Sequence, residues 1–214
     1  MKRNGLDLDL LQGAIDMIRE QPEAGTITIR TLHRWDDGFG VDGYAKEIEE
    51  DGEVAARRFT FRTDWPPEIG GRDSGPTPGE ALLGALGGCV AMTYITKAAS
   101  RGVTINELEV TIEGRVNLRG TFELDSVRAG LSDLTITVGV RSETDDAVLD
   151  EIAQTTRRTS GVLRLARKPG AHAVERCALV TILDSQSLIT VSSPSGGGIG
   201  RKDVGRQGLK GRGP

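Results

Sequence analysis

The stretch Asp73–Met92, DSGPTPGEALLGALGGCVAM, decides how the rest of the chain is read. Its front is a helix start: Thr77 in the N-cap place, Pro78 at the first helical position, and Glu80 three residues after the cap, the spacing of a capping box. The helix should run over 77–101, because Arg101-Gly102 is a good C-terminal signature. Between Glu80 and Lys97 no residue is charged, yet the 16 residues from Ala81 to Thr96 fall short of the roughly 20 that cross a bilayer. A core helix is expected, with no membrane partner.

Small residues crowd this helix at Gly79, Gly84, Ala85, Gly87, Gly88 and Ala91. Each interior glycine costs roughly 1 kcal/mol against alanine, so close approach of a sheet, a helix or a partner subunit should compensate. The stripe Leu82, Leu86, Cys89 and Thr93 shares one side. Gly70 and Gly75 have the separation of a phosphate-binding loop, but Pro76 and Thr77 follow where lysine and a hydroxyl residue are required.

Working outward, Leu8, Leu11, Ile15 and Ile18 recur at helical spacing, so a short amphipathic helix is expected over 5–22. From Thr26 the period becomes two. TITIRTL, YAKEIEE and VAARRFTFRTDW, separated by Asp36-Asp37-Gly38 and Asp51-Gly52, predict an antiparallel meander over 26–65. After the cysteine helix come LEVTIEGRV, a turn near Arg119-Gly120, and LTITVGVRS. A second helix follows from Asp145 to about Arg158, with Val148, Ile152 and Thr156 on one face, and CALVTIL is a closing strand. The fold class is α+β, with one domain over 1–191. The 192–214 segment has five basic residues, one acid and many glycines, the composition of a disordered tail.

Composition narrows function mainly by exclusion. The chain of 214 residues carries 27 basic and 31 acidic groups, a formal charge of −4, with the basic groups dispersed; nothing points to nucleic acid. Two cysteines, Cys89 and Cys177, cannot frame a disulfide-rich domain, and His33 and His172 have no ligand spacing, so no metal is expected. Asp7 and Asp9 stand where a secretory signal needs an apolar core; a cytoplasmic setting with reduced thiols is expected.

Cys89 lies about eleven residues into its helix, roughly 16 Å from the start, beyond the reach of that helix's dipole. A reactive thiol there requires charge from elsewhere in the fold, from an arginine or a protonated histidine. Without it Cys89 is a buried inert sulfur, and so is Cys177 in its apolar segment.

The sequence DWPPEIGGRDSGPTPGEALLGALGGC, continuing to AASRGVTINELEVTIEGRVNLRG, resembles the OsmC/Ohr family, the osmotically inducible and organic hydroperoxide resistance proteins. The similarity extends over roughly Asn4 to Gly161, and the opening helix with HRWDDG resembles a longer OsmC-like subgroup. The resemblance implies antiparallel sheets around long central helices in an intertwined homodimer. It also implies a thiol-dependent peroxidase acting on organic hydroperoxides, with no bound cofactor and an external dithiol (dihydrolipoamide-like) or monothiol reductant. Cys89 would be the peroxidatic residue, Arg34 the activating guanidinium with Arg30 next, and Glu80 the carboxylate that fixes it.

Two positions depart from the family pattern. Gly79 separates Pro78 from Glu80, displacing the carboxylate by one position, about 100° around the helix. The resolving cysteine that the resemblance places in TTRRTSGVL is Ser160, which cannot form a disulfide. The alternatives are therefore a one-cysteine peroxidase or a divergent binding or redox-sensing protein on the same scaffold.

Overall fold

The computed structural model describes residues 1–50, 52–165 and 177–183; the 192–214 tail lies outside them. The chain divides into two compact units, Met1–Leu86 and the part from Gly87 onward.

The first unit opens with a two-residue hairpin, β1 (Lys2–Arg3) and β2 (Leu6–Asp7), turned at Asn4 and Gly5, whose φ values are 50° and 80°. Helix α1 (Leu8–Glu20) therefore begins later than its expected bound of residue 5. Asp7 caps it, accepting from the amides of Asp9 and Leu10 and so satisfying two otherwise orphaned donors. Its apolar side is present, but none of its residues is buried.

The meander comprises β3 (Ile27–Trp35), β4 (Val41–Glu50), β5 (Glu53–Ala56) and β6 (Thr60–Thr63). All pairings are antiparallel and β4 is central, paired with β3, β5 and β6. The two Asp-Gly turns have positive φ at Gly38 (57°) and Gly52 (77°), the conformation that selects glycine. The expected third strand is split at Arg57–Phe59. Two backbone bonds nonetheless tie that segment to β4, from the Arg57 amide to the Lys46 carbonyl and from the Ala45 amide to the Phe59 carbonyl, both 2.9 Å.

Asp64 organises the proline- and glycine-rich loop that follows. Its carboxylate is buried and accepts from the Ser74 hydroxyl at 2.6 Å, the Trp65 amide at 2.8 Å and the Ser74 amide at 3.4 Å. Arg62 donates to Ser74 Oγ at 2.7 Å and pairs with Asp36 and Asp42 at 2.9 and 2.7 Å, fastening the loop to the meander. A side chain at Gly71 would collide with the Trp65 carbonyl, so the close return of the loop requires glycine there.

Helix α2 (Pro78–Ser100) starts and stops as the sequence dictates. At its end the Gly102 amide donates to the Ala99 carbonyl, the Val103 amide donates to the Ala98 carbonyl, and Gly102 takes φ 77°. By length and composition α2 is apolar enough to span a membrane, since its helical extent exceeds the uncharged run. Its buried residues are Leu86, Val90, Tyr94, Ala98 and Ala99. This corrects the expected inward stripe: Leu82 is exposed, and Cys89 and Thr93 are only half-buried at the edge. An all-round apolar helix gives periodicity nothing to select, and the i, i+4 row containing the large Tyr94 ring faces inward.

The second unit holds β7 (Glu107–Val116), a single helical turn α3 (Leu118–Thr121) where a turn was expected, and β8 (Leu131–Arg141). Helix α4 (Asp146–Thr159), the short α5 (Gly161–Leu165) and β9 (Cys177–Leu183) follow. β7 and β8 are antiparallel, whereas β9 lies parallel to β8 because the helical crossover returns the chain in the same direction. Alternate β8 residues Leu134, Ile136, Val138 and Val140 are buried, as are Leu149, Ile152, Ala153 and Thr156 of α4. The Tyr94 hydroxyl donates to the Leu149 carbonyl at 3.1 Å, tying α2 to α4.

The Ser74 hydroxyl, acting against burial and joined by the Trp65, Ser74 and Arg72 amides, holds the Asp64 carboxyl below its ordinary pKa. Its stabilising contribution is complete above the unfolded value of about 4 and is lost as pH falls through the lower folded value. Asp64→Asn should therefore lower the melting temperature at neutral pH, and the gap to wild type should close as acid is added below about pH 4. An equal gap at every pH in thermal melts would refute this account.

Candidate thiol site

Three segments of the second unit bring donors to Cys89. The first is α2 itself, where Thr93, one turn on, donates its hydroxyl to the Cys89 carbonyl at 2.7 Å. The second is Ser160, the fully buried residue that ends α4; its Oγ stands 3.2 Å from Cys89 Sγ. The third is the first turn of α5, whose Gly161 and Val162 amides favour the anionic form of the sulfur. The first amides of any helix have no intrahelical acceptor, which leaves these two free for a sulfur anion.

Burial is the largest single influence on the thiol and pushes its pKa up. The Ser160 hydroxyl, then the Val162 and Gly161 amides and the Thr93 hydroxyl, together outweigh it, so the thiol lies below its ordinary value. Where the sequence pointed to a cation, these lowering groups are all neutral dipoles, which act by hydrogen bonding to the charged form. Thr93 was discoverable from its i, i+4 spacing to Cys89. The two amides carry no side-chain signature, and a Ser-Gly pair joining two helices is the only trace they leave in the sequence.

Each of the other candidate residues has its own local partners. Glu80 accepts from the Thr77 amide at 2.7 Å and the Thr77 hydroxyl at 2.8 Å, while its own amide donates to Thr77 Oγ1 at 3.3 Å. That is the capping box read from the sequence, and the Thr77 amide, then the Thr77 hydroxyl, lower the Glu80 pKa. Arg30 is held by Glu49 at 2.7 Å and Glu47 at 3.2 Å. Arg34 lies over the Tyr44 ring, 5.6 Å from its centroid, with no carboxylate in ion-pair range among the described residues. Cys177 begins β9, its backbone in register with Leu134 of β8.

A family model described as OsmC-like protein matches residues 71–175. The fold is similar to that of an OsmC like protein from Mycoplasma pneumoniae, at 16% identity, covering 74% of this chain and 96% of that one, with a TM-score of 0.55. It is similar also to an organic hydroperoxide resistance protein OsmC from Legionella pneumophila, at 12% identity over 72% and 96% of the two chains, TM-score 0.50. An organic hydroperoxide resistance protein from Elizabethkingia anophelis matches at 16% identity over 73% and 96%, TM-score 0.50. No curated protein sequence matches significantly. At these identities the structural likeness is one of fold.

Removing the hydroxyl donor should weaken the thiolate. Ser160→Ala should raise the Cys89 pKa, shifting the pH profile of thiol alkylation to higher pH, with Cys89 identified by labelling and mass spectrometry. An unshifted profile would show that Ser160 does not stabilise the anion.

Proposed function

This chain belongs to the OsmC-like protein family, and from that premise we propose that it is a thiol-dependent peroxidase of the one-cysteine type that reduces organic hydroperoxides through Cys89. The observation that carries the reading is the Sγ of Cys89 held 3.2 Å from Ser160 Oγ, with the Gly161 and Val162 amides as further donors. Such a sulfur gains anionic character without losing access, since Cys89 is only half-buried.

The thiolate attacks the terminal oxygen of ROOH, the O–O bond breaks, and RO⁻ leaves and takes a proton to become ROH, with Cys89 oxidised to the sulfenic acid. A reducing thiol then attacks that sulfur, water departs, and a mixed disulfide forms; a second thiol group releases Cys89 and completes the two-electron reduction. Because Ser160 occupies the place next to the sulfur, both thiol groups come from an external dithiol or monothiol. Arg34 and Glu80 complete the reading as the guanidinium and carboxylate that the resemblance implies, and Arg34→Gln measures what a guanidinium adds to the neutral donors.

A second reading, a redox-sensing protein that keeps its sulfenate, is favoured by the same three donors, because they suit an S–O⁻ group as well as a thiolate. Turnover separates the two. Purified protein with dithiol should consume an organic hydroperoxide in many turnovers, and Cys89→Ser should consume none. Ser160→Cys should trap a disulfide between Cys89 and the introduced thiol after one oxidation. A single turnover per chain with a persistent sulfenate would favour the sensor; no oxidation of Cys89 at all would eliminate both.

The reading includes a homodimer. On α2 the row Gly84, Gly88 and Met92 lies opposite the buried row, Met92 is exposed, and nothing stands within 4 Å of a side chain built at either glycine. If a second copy covers that row, Gly84→Ala/Gly88→Ala should weaken the dimer in sedimentation, even though each alanine adds roughly 1 kcal/mol of helix preference. A wild-type monomer, or an unweakened dimer with a raised melting point, would exclude this face as the interface.

A further inference from the structure

The first unit contains a groove of its own. It has a volume of about 320 Å³, and its whole lining lies between Leu32 and Thr60. Four cations border it: Arg34, Lys46, Arg57 and Arg58. None has a carboxylate in ion-pair range among the described residues. This is unusual in a chain of net charge −4, and the reason is local. Among the described residues, Glu47 and Glu49 are engaged with Arg30, Asp36 and Asp42 with Arg62, and Asp37 with Arg72. Asp42 is the register partner of Arg34, yet its carboxylate turns to Arg62 at 2.7 Å.

Two aromatic rings hold the cations in place. The Arg57 guanidinium lies 4.8 Å from the centre of Phe59, and the Arg34 guanidinium 5.6 Å from that of Tyr44. A stacked guanidinium keeps its N–H edge free while its plane is fixed, so the fork that grips an oxyanion is partly pre-organised. The interruption between β5 and β6 produces this arrangement, because it is the Arg57–Phe59 segment that leaves regular strand geometry.

From the unpaired cations, the ring-held guanidiniums and the groove volume, we propose that this groove binds a small molecule carrying a phosphate or pyrophosphate group. A single carboxylate would leave most of the positive charge unmatched, whereas a phosphate group brings roughly two charges and oxygens that accept bidentate bonds from arginine. The volume falls near the lower end of the roughly 300–1,000 Å³ typical of small-ligand sites.

The test is calorimetric titration of the full chain with inorganic pyrophosphate and with ATP, against sodium chloride at matched ionic strength. Saturable one-to-one binding that weakens as salt rises is expected. Arg57→Gln/Arg58→Gln should weaken it at least about a hundredfold, as loss of two charge-assisted contacts implies, and Lys46→Gln should weaken it by less. Circular dichroism confirms that these exposed substitutions leave the fold intact. Cys89→Ser should bind like wild type, which keeps this result separate from the peroxidase reading. The proposal is overturned if neither probe saturates, if the double variant binds as wild type does, if Cys89→Ser abolishes binding, or if duplex DNA binds and pyrophosphate does not compete.

Discussion

The hydrogen bonds that reach the Cys89 sulfur are the constraint on which the functional reading depends. A sulfur partly withdrawn from water is pushed toward the neutral thiol, and the distance from the start of α2 removes any help from that helix. Ser160 and the first two amides of α5 reverse the balance because the chain breaks helix between Thr159 and Gly161. An unbroken helix would have spent those amides on its own backbone. The break therefore creates the site, and Ser160 both ends one helix and sets its hydroxyl 3.2 Å from the sulfur.

Helix α2 serves two opposed surfaces. One row, Leu86, Val90, Tyr94 and Ala98, is buried, and the Tyr94 hydroxyl reaches the α4 backbone. The opposite row carries Gly84, Gly88 and Met92, with open space beside both glycines. Cys89 stands at the border between the rows, which explains how one sulfur can meet α5 donors and remain accessible. Only Gly87 of the mid-helix glycines has a close neighbour, Ile112 of β7 at 3.4 Å from a side chain built there. At that distance an added side chain would make an ordinary van der Waals contact, so close approach to the described residues does not by itself require glycine there.

Charge distribution in the first unit follows from competition for a few carboxylates. Arg62 takes Asp36 and Asp42, and it also bonds Ser74, which in turn bonds the buried Asp64; meander and loop are thereby joined in one polar network. Arg30 takes Glu47 and Glu49, and Arg72 takes Asp37. Among the described residues, Arg34 and Arg57 lie over aromatic rings and Arg58 has no carboxylate in ion-pair range. The unequal sharing, rather than any excess of basic residues, makes the groove positive.

The sequence by itself determined the local events. Thr77, Pro78 and Glu80 begin α2 and Gly102 ends it, the Asp-Gly pairs turn the meander, alternation marks β7 and β8, and a short apolar run marks β9, since each of these depends on residues within a few positions of one another. The 64–89 motif together with the helix end and strand that follow it indicated the OsmC-like family and an α+β fold. It did not show which side of α2 is inward, because a helix apolar all round has no periodic contrast. Nor could it show that the Gly161 and Val162 amides act on the thiol: backbone amides are the same for every residue and acquire a direction only when α5 is placed. The split of the third strand and the choice of partner for each arginine were likewise decided by tertiary structure, because many carboxylates are near in sequence and only geometry selects among them.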